Sequence, residues 1–176
     1  MTRRSMPMAA LALAAGLLLA ACGFQLRTWD LAGLERVRIV GADAPALRRE
    51  LTRALAQSGV VLEDARGDAD VVVQLSGERE SRRTASVSGG GRVAEYEMSL
   101  AVSFGAQDAE GEELVPTRTL RAERTYRLDL DNLIGSREEE TLIVRELRAD
   151  LVQRILRSLG RAAERAPGAA ASDAGA

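Results

Sequence analysis

Apolar and polar residues alternate with two different periods along this chain, and the periods predict its secondary structure. Between Tyr96 and Phe104 every second residue is apolar, which is typical of a strand with one buried and one solvated face. Gly89–Gly91 just before it indicates a hairpin tip. Extended segments are predicted at 36–40, 71–75, 84–87, 96–104 and 119–128, with a weaker candidate at 60–62.

A four-residue apolar repeat predicts the first helix. Leucines recur at every fourth position of the segment 47–55 and therefore share one helical face. Asp43 is the expected N-cap, Pro45 suits the first turn, and Gly59 is the expected stop.

A second, longer helix is predicted near the C-terminus. Ser136 and Glu139 have the spacing of a capping box, so the helix should begin there. Gly160 should end it. One face carries the apolar residues Val144, Leu147, Leu151, Ile155 and Leu159.

The order of these elements predicts an α/β fold. A strand, a helix and a strand should form a right-handed crossover with the two strands parallel, and the remaining strands should form an antiparallel meander. Each helix has one apolar stripe, so both can cover the same face of the sheet. We therefore expect a two-layer sandwich in which a four-stranded mixed β-sheet carries two α-helices on one face.

The N-terminus has the features of an export signal. Arg3 and Arg4 precede an uncharged apolar run, Met8–Ala21, which is shorter than the roughly 20 residues that a membrane-spanning helix needs. The run ends in Leu19–Cys22, which resembles the lipobox of bacterial lipoproteins. That resemblance implies cleavage before Cys22 and acylation of its thiol, and Gly23 in place of Asp implies the outer membrane. We expect a signal peptide over 1–21, a domain over 22–160 and a disordered Ala/Gly-rich tail over 161–176.

The segment between Cys22 and the first strand is unusually apolar for a lipoprotein spacer. Its apolar residues should pack against the domain or a partner. From Cys22 to Arg36 the chain can reach at most about 50 Å, so the domain should lie close to the membrane. The apolar residues concerned are Phe24, Leu26, Trp29, Leu31 and Leu34.

Composition excludes several classes of function. The chain has 24 basic and 26 acidic residues, which gives no indication of nucleic-acid binding. It has no His and one Cys, so the usual general base, the commonest metal ligand and an intrachain disulfide are all missing. No carboxylate pair stands out in an apolar context. We therefore expect no enzymatic activity, no metal and no cofactor, with a carboxylate hydrolase as the least favoured alternative.

Arginines are the remaining candidates for a binding site. Four arginines flank the hairpin tip, and an arginine fork matches the geometry of a phosphate group; they are Arg79, Arg82, Arg83 and Arg92. Glutamates such as Glu95 and Glu97 alternate with them, so cross-strand ion pairing is the other interpretation. Both stay open at this stage. The last strand presents the same choice through Arg118, Arg121, Arg124 and Arg127.

Several short segments together resemble one family. In chain order they are Leu19–Arg27, Thr84–Val87, Ala94–Met98, Arg124–Tyr126 and Glu138–Leu147. The chain resembles the lipopolysaccharide-assembly lipoproteins of the LptE family, also called rare lipoprotein B. The segments span most of the expected mature domain.

This resemblance implies a function and its partners. Members of the family sit inside the outer-membrane β-barrel LptD, help it to assemble and help to place lipopolysaccharide in the outer leaflet. By the same resemblance, Arg92 and Arg137 are candidate lipopolysaccharide contacts, although some relatives carry the basic residue at the position of Gly89. Arg82 and Arg83 complete the candidate set. The alternative is a periplasmic lipoprotein that acts as the binding module of another lipid-transport complex.

Overall fold

The computed structural model describes residues 31, 34–64, 69–87, 93–127 and 133–165. They form five strands and two helices. In chain order these are β1 (Arg36–Val40), α1 (Pro45–Gln57), β2 (Val61–Leu62), β3 (Val71–Val87), β4 (Val93–Asp108), β5 (Glu113–Tyr126) and α2 (Leu133–Ala163). Cys22, Arg92 and residues 1–30 and 166–176 lie outside the described part of the chain.

The sheet has the predicted mixture of parallel and antiparallel pairs. Its order is β2-β1-β3-β4-β5, with β1 parallel to both β2 and β3 and with β3, β4 and β5 antiparallel. The prediction of four strands is wrong, because β2 adds a fifth at the edge. Only Val61 and Leu62 pair in it, opposite Arg36 and Val37. Two residues are too few to produce a periodic signal in the sequence.

Both helices contribute to one core on one face of the sheet. The alternating residues of β4 from Met98 to Phe104 are buried there, as predicted. Leu31 and Leu34, from the apolar segment before β1, also belong to this core. The helices supply Leu47, Leu51 and Leu55 from α1 and Leu147, Leu151, Ile155 and Leu159 from α2.

The start of α1 differs from the prediction, while its end agrees with it. The N-cap is Ala44 rather than Asp43, and Ala44 has no side chain that can bond the first turn. At the other end, the amide of Val60 donates to the carbonyl of Leu55 at 3.1 Å. Gly59 adopts φ +84°, so the helix ends in a Schellman motif that a glycine favours.

Helix α2 extends beyond its predicted limits at both ends. It begins at Leu133, so Ser136 is an internal, buried helical residue and not an N-cap. It also continues through Gly160 as far as Ala163. Ala162 and Ala163 are buried in the core, so 161–163 is helix and the prediction of a disordered tail from 161 is wrong for these residues. Core burial outweighs the cost of an internal glycine, which is about 1 kcal/mol.

Strand β3 is a single element of 17 residues, which at about 3.3 Å per residue spans about 55 Å. Its outer half is mostly exposed and therefore lacks the apolar alternation that marks the inner half. A bulge between Ser76 and Arg79 interrupts the pairing, and Gly77 adopts φ +65° within it. The bulge turns Glu78 towards the helices.

Candidate functional site

Glu140 joins the start of α2 to the outer part of the sheet. Its carboxylate accepts a hydrogen bond from the Arg82 guanidinium of β3, with the nitrogen and oxygen 2.7 Å apart. It also accepts one from the Tyr126 hydroxyl of β5. The Arg82 guanidinium lies 5.1 Å from the centre of the Tyr96 ring, and the Tyr96 and Tyr126 rings stack at 6.0 Å. We call Arg82, Tyr96, Tyr126 and Glu140 the clasp.

The clasp changes the pKa values of its members in the directions that its hydrogen bonds require. The Tyr126 hydroxyl, and then Arg82, hold the pKa of Glu140 below its usual value. Burial, followed by the bond to Glu140, raises the pKa of Tyr126 to about 12. The bond to Glu140 raises the pKa of Arg82. At neutral pH Glu140 is therefore an anion and cannot serve as a general acid.

A groove of about 470 Å³ runs beside the clasp along α2. Arg137 and Arg145 line it, and within the described residues neither forms an ion pair. Glu80, Glu140, Thr141, Val144 and Arg148 complete the lining. The groove thus combines two guanidinium groups that form no ion pair with a described residue, a hydroxyl and an apolar side chain, a set suited to the phosphate of an amphiphile. Two carboxylates, Glu80 and Glu140, share the lining, and the charge of Arg137 helps to lower the pKa of Glu140.

The inner end of the groove is fixed by a partly buried ion pair. Arg148 donates to Glu78 over 2.8 Å, and the two side chains are only 14% and 9% exposed. Glu78 also accepts from the backbone amide of Leu47 at 3.2 Å, in the first turn of α1. Glu50 of α1 lies 3.9 Å from Arg148. Arg148 is therefore committed to structure, whereas Arg137 and Arg145 are available to a ligand.

The structure separates the arginines that the sequence grouped together. Arg82 lies on the helix side of β3 and belongs to the clasp, while Arg137 lines the neighbouring groove. Arg83 points to the opposite face of the sheet, where it forms a bidentate pair with Glu97 at 2.7 and 2.8 Å. The roles of Arg82, Arg83, Arg92 and Arg137 in lipopolysaccharide binding remain predictions. So does the acylation of Cys22.

Arg145 and Thr141 are site residues that the sequence analysis missed. Together with Arg137, Val144 and Arg148 they follow helical spacing, so all five fall on one side of α2. The helical spacing of these five residues could have revealed the groove from the sequence. Their side of the helix is next to the apolar stripe, and only the apolar stripe was used to interpret the helix.

The sheet face away from the helices is polar, and three of its arginines pair with glutamates on the same face. We call it the open face, because no described helix covers it. Arg83 pairs with Glu97, Arg121 with Glu123, and Arg127 with Glu95. The Ser81 and Ser99 hydroxyls hydrogen-bond across the strands at 3.1 Å. These contacts support the ion-pairing interpretation for these arginines. Arg124 and Arg118, on the other face, contact Glu146 and Ser158 of α2.

Solved structures of bacterial lipoproteins share this architecture. A lipoprotein B from Nitrosomonas europaea is 28% identical over 77% of this chain and 88% of its own, with a TM-score of 0.64. The rare lipoprotein B of Shewanella oneidensis is 27% identical over 72% of this chain and 95% of its own, also at 0.64. A minor lipoprotein from Acinetobacter baumannii is 25% identical over 73% and 92%, at 0.59. No curated protein sequence matches the chain.

A family model covers almost the entire described domain. The model described as LptE, lipopolysaccharide-assembly, matches residues 34–159, which is well over half of the chain. The match runs from the last residues before β1 into the final turns of α2 and includes the clasp, the groove and the open face. The chain belongs to the LptE lipopolysaccharide-assembly family.

Proposed function

We propose that this protein is an outer-membrane lipoprotein that plugs and helps to assemble an LptD-type β-barrel, and that it assists the insertion of lipopolysaccharide into the outer leaflet. Acylation of Cys22 would hold it on the periplasmic side of the membrane. It works by binding, without catalysing a reaction. Family membership supports the connection with lipopolysaccharide assembly. The barrel, the location and the lipid contacts are our inference.

The observation that carries this proposal is the unequal distribution of charge between the two sides of the sheet. On the open face, three arginines are paired with glutamates of the same face. Such a polar and largely paired surface suits the polar wall of a barrel lumen, because docking there leaves few charges without a partner. Arg38 and Arg79 also lie on the open face without an ion pair to another described residue, so they would take their partners from the wall. On the helix side, Arg137 and Arg145 form no ion pair with a described residue and can meet an anionic lipid.

The dimensions of the domain suit a large barrel. A compact chain of about 150 residues has a radius of gyration of about 15 Å. A body of that size requires one of the largest outer-membrane barrels, of about 26 strands, if much of it is to enter the lumen. Strand β3 spans about 55 Å, which exceeds the roughly 30 Å of the hydrocarbon core, so the sheet could follow the barrel wall along its full height.

The tether is short once the core is taken into account. Leu31 and Leu34 are buried in the domain, so the chain length that can separate the lipid from the core is the stretch from Cys22 to Leu31. Nine extended residues reach about 30 Å at most. A lipid on Cys22 would therefore hold the β1 end of the domain within that distance of the membrane. None of the described helices is both long and apolar enough to cross a membrane itself.

Recovery of the protein from membranes tests the proposal. We expect radiolabelled palmitate to enter the wild-type chain but not a Cys22→Ser variant. We also expect a large β-barrel protein to co-purify with the wild type in mild detergent at equal stoichiometry. A binding module of another lipid-transport complex would instead bring down a different set of proteins. Recovery of the labelled chain without any barrel would refute the plug.

A further inference from the structure

Strand β5 leaves one long edge of the sheet without a described neighbour. It has 14 residues and is last in the strand order, whereas the opposite edge, β2, has only two. From Arg118 to Tyr126 it pairs with β4 in an unbroken register. A regular edge of this length can accept another strand through its free backbone groups.

One side-chain contact identifies which backbone groups point outwards. The Arg154 guanidinium of α2 donates to the carbonyl of Arg121 at 3.0 Å, so that carbonyl faces away from β4. In an antiparallel strand the amide and carbonyl of one residue point the same way, and the direction alternates along the chain. Thr119, Arg121, Glu123 and Thr125 therefore present their backbone groups at the edge. Their side chains are exposed on the open face.

These four residues are complementary to the same four residues of a second copy. If two β5 edges meet antiparallel about a two-fold axis through Ala122, Arg121 of each copy faces Glu123 of the other. In the same register Thr119 faces Thr125 of the other copy. All four positions then form backbone-bonded pairs, with opposite charges and threonines opposite one another.

The same charges disfavour the neighbouring registers. A shift of two residues in one direction places Arg121 opposite the second Arg121, and the opposite shift places Glu123 opposite the second Glu123. Like charges directly opposite each other destabilise a strand pair. A shift of one residue would exchange the two sheet faces. The sequence of β5 therefore favours one pairing.

We propose that the outer edge of β5 is a homotypic docking site, at which a second copy of this chain adds antiparallel through residues 119–125. The two sheets then form one continuous sheet of ten strands. In the single chain Arg121 pairs with its own Glu123, and in the dimer both pairs become shared between copies. Arg154, which also pairs with Asp150 at 2.7 Å, must release the Arg121 carbonyl before the second copy can bond to it.

Charge exchange at the edge tests this docking site. The full chain is purified in a mild detergent, and its mass is measured by sedimentation equilibrium under density matching over a wide range of protein concentration. We expect the wild type to associate to dimers. Arg121→Glu or Glu123→Arg should each weaken dimerisation about tenfold, because each places two like-charge pairs across the interface. The double exchange R121E/E123R should restore it.

Two further variants separate pairing from a general effect of charge. Arg49→Glu makes the same charge change on the exposed surface of α1 and should leave dimerisation unchanged. Arg154→Ala frees the Arg121 carbonyl and should strengthen it. Amide hydrogen exchange gives an independent measurement: the amides of Arg121 and Glu123 should slow as dimers form.

The result that overturns the proposal is equally definite. It fails if the wild type stays monomeric at every concentration, in which case any strand added at this edge must come from another protein. It also fails if the single exchanges have no effect, or if the double exchange does not recover what they lose. Two joined copies are too large for one lumen, so the dimer belongs to the chain outside the barrel. Recovery of a barrel at equal stoichiometry does not depend on that dimer, so the two proposals can fail separately.

Discussion

Glu140 shows how a single side chain can hold the outer sheet against α2. It is the one carboxylate that both Arg82 and Tyr126 contact, and the two partners belong to non-adjacent strands. Without Glu140, the hydroxyl of Tyr126 and the guanidinium of Arg82 would each lose a charged partner. Hydrogen bonds to charged groups contribute about 1.5–3 kcal/mol, and partial exposure reduces that contribution here.

We predict that Glu140→Gln lowers the free energy of unfolding at neutral pH by about 1 kcal/mol. The pKa of Glu140 is lowered by folding from its usual 4.5. Its contribution is therefore complete above pH 4.5 and is lost as the pH falls through the lower, folded-state pKa. Urea unfolding over a series of pH values should show the wild type and the variant converging in acid.

The neighbouring Glu139 is the matched control for this measurement. It is exposed on the same helical turn and forms no ion pair with another described residue. Glu139→Gln should change stability by less than about 0.5 kcal/mol at any pH. If the two variants gave the same pH profile, the clasp would contribute nothing to stability.

At the scale of elements, α1 depends on a carboxylate from β3. Ala44 offers no cap, so the first turn takes its acceptor from Glu78, which the bulge at Gly77 turns towards the helix. The same carboxylate holds Arg148 of α2. One residue of the sheet thus fixes both helices.

We predict that Glu78→Gln destabilises the fold by about 2 kcal/mol, because it weakens the cap of α1 and removes the charge that balances Arg148. The measurement is urea unfolding, combined with hydrogen exchange at the Leu47 amide, which should speed up. Glu80→Gln on the same strand is the control, since no described residue forms an ion pair with Glu80. If both variants lost the same free energy of unfolding, the loss would come from removing any carboxylate from β3 and not from the contacts of Glu78.

The sequence revealed those elements whose apolar residues repeat with a clear period. The alternation in β4 and the four-residue repeat in α1 predicted both elements, because one face of each is buried. The outer half of β3 gave no such signal because it is mostly exposed. The cap of α1 was missed for a different reason: Glu78 lies 31 residues from Leu47, so no local pattern connects them.

The arrangement of the candidate arginines depends on the same physical features. Arg137 lines a groove, but the sequence named it only through the family resemblance, and its contact with lipopolysaccharide stays a prediction. Arg82 and Arg83 are adjacent in sequence, and adjacent residues of a strand point to opposite faces, so they cannot act together. The sequence did not show that β3 continues through Arg82 and Arg83, and so it did not show that their side chains lie on opposite faces.

At the scale of the molecule, the two faces of the sheet have different electrostatic roles. Arg83 is 65% exposed but paired with Glu97 on the open face, whereas Arg137 is exposed in the groove and forms no ion pair with a described residue. Reversing the charge of Arg83 or of Arg137 changes the net charge of the protein by the same amount, so any difference between the two variants must come from their positions. If the open face meets the barrel wall and the groove meets the lipid, the Arg83 variant should affect barrel binding and the Arg137 variant should affect lipid binding.

We predict that Arg83→Glu reduces the amount of β-barrel recovered with the protein, because it sets two carboxylates against each other on the open face, and that the exchange R83E/E97R restores recovery. Arg137→Glu and Arg145→Glu should leave barrel recovery intact but weaken binding of lipopolysaccharide about tenfold each, through loss of a phosphate contact.

The control for both measurements is Arg49→Glu, which should change neither barrel recovery nor lipopolysaccharide binding. If Arg83→Glu instead weakened lipopolysaccharide binding as strongly as Arg137→Glu, Arg83 would belong to the lipid site, and the division of roles between the two faces would be wrong.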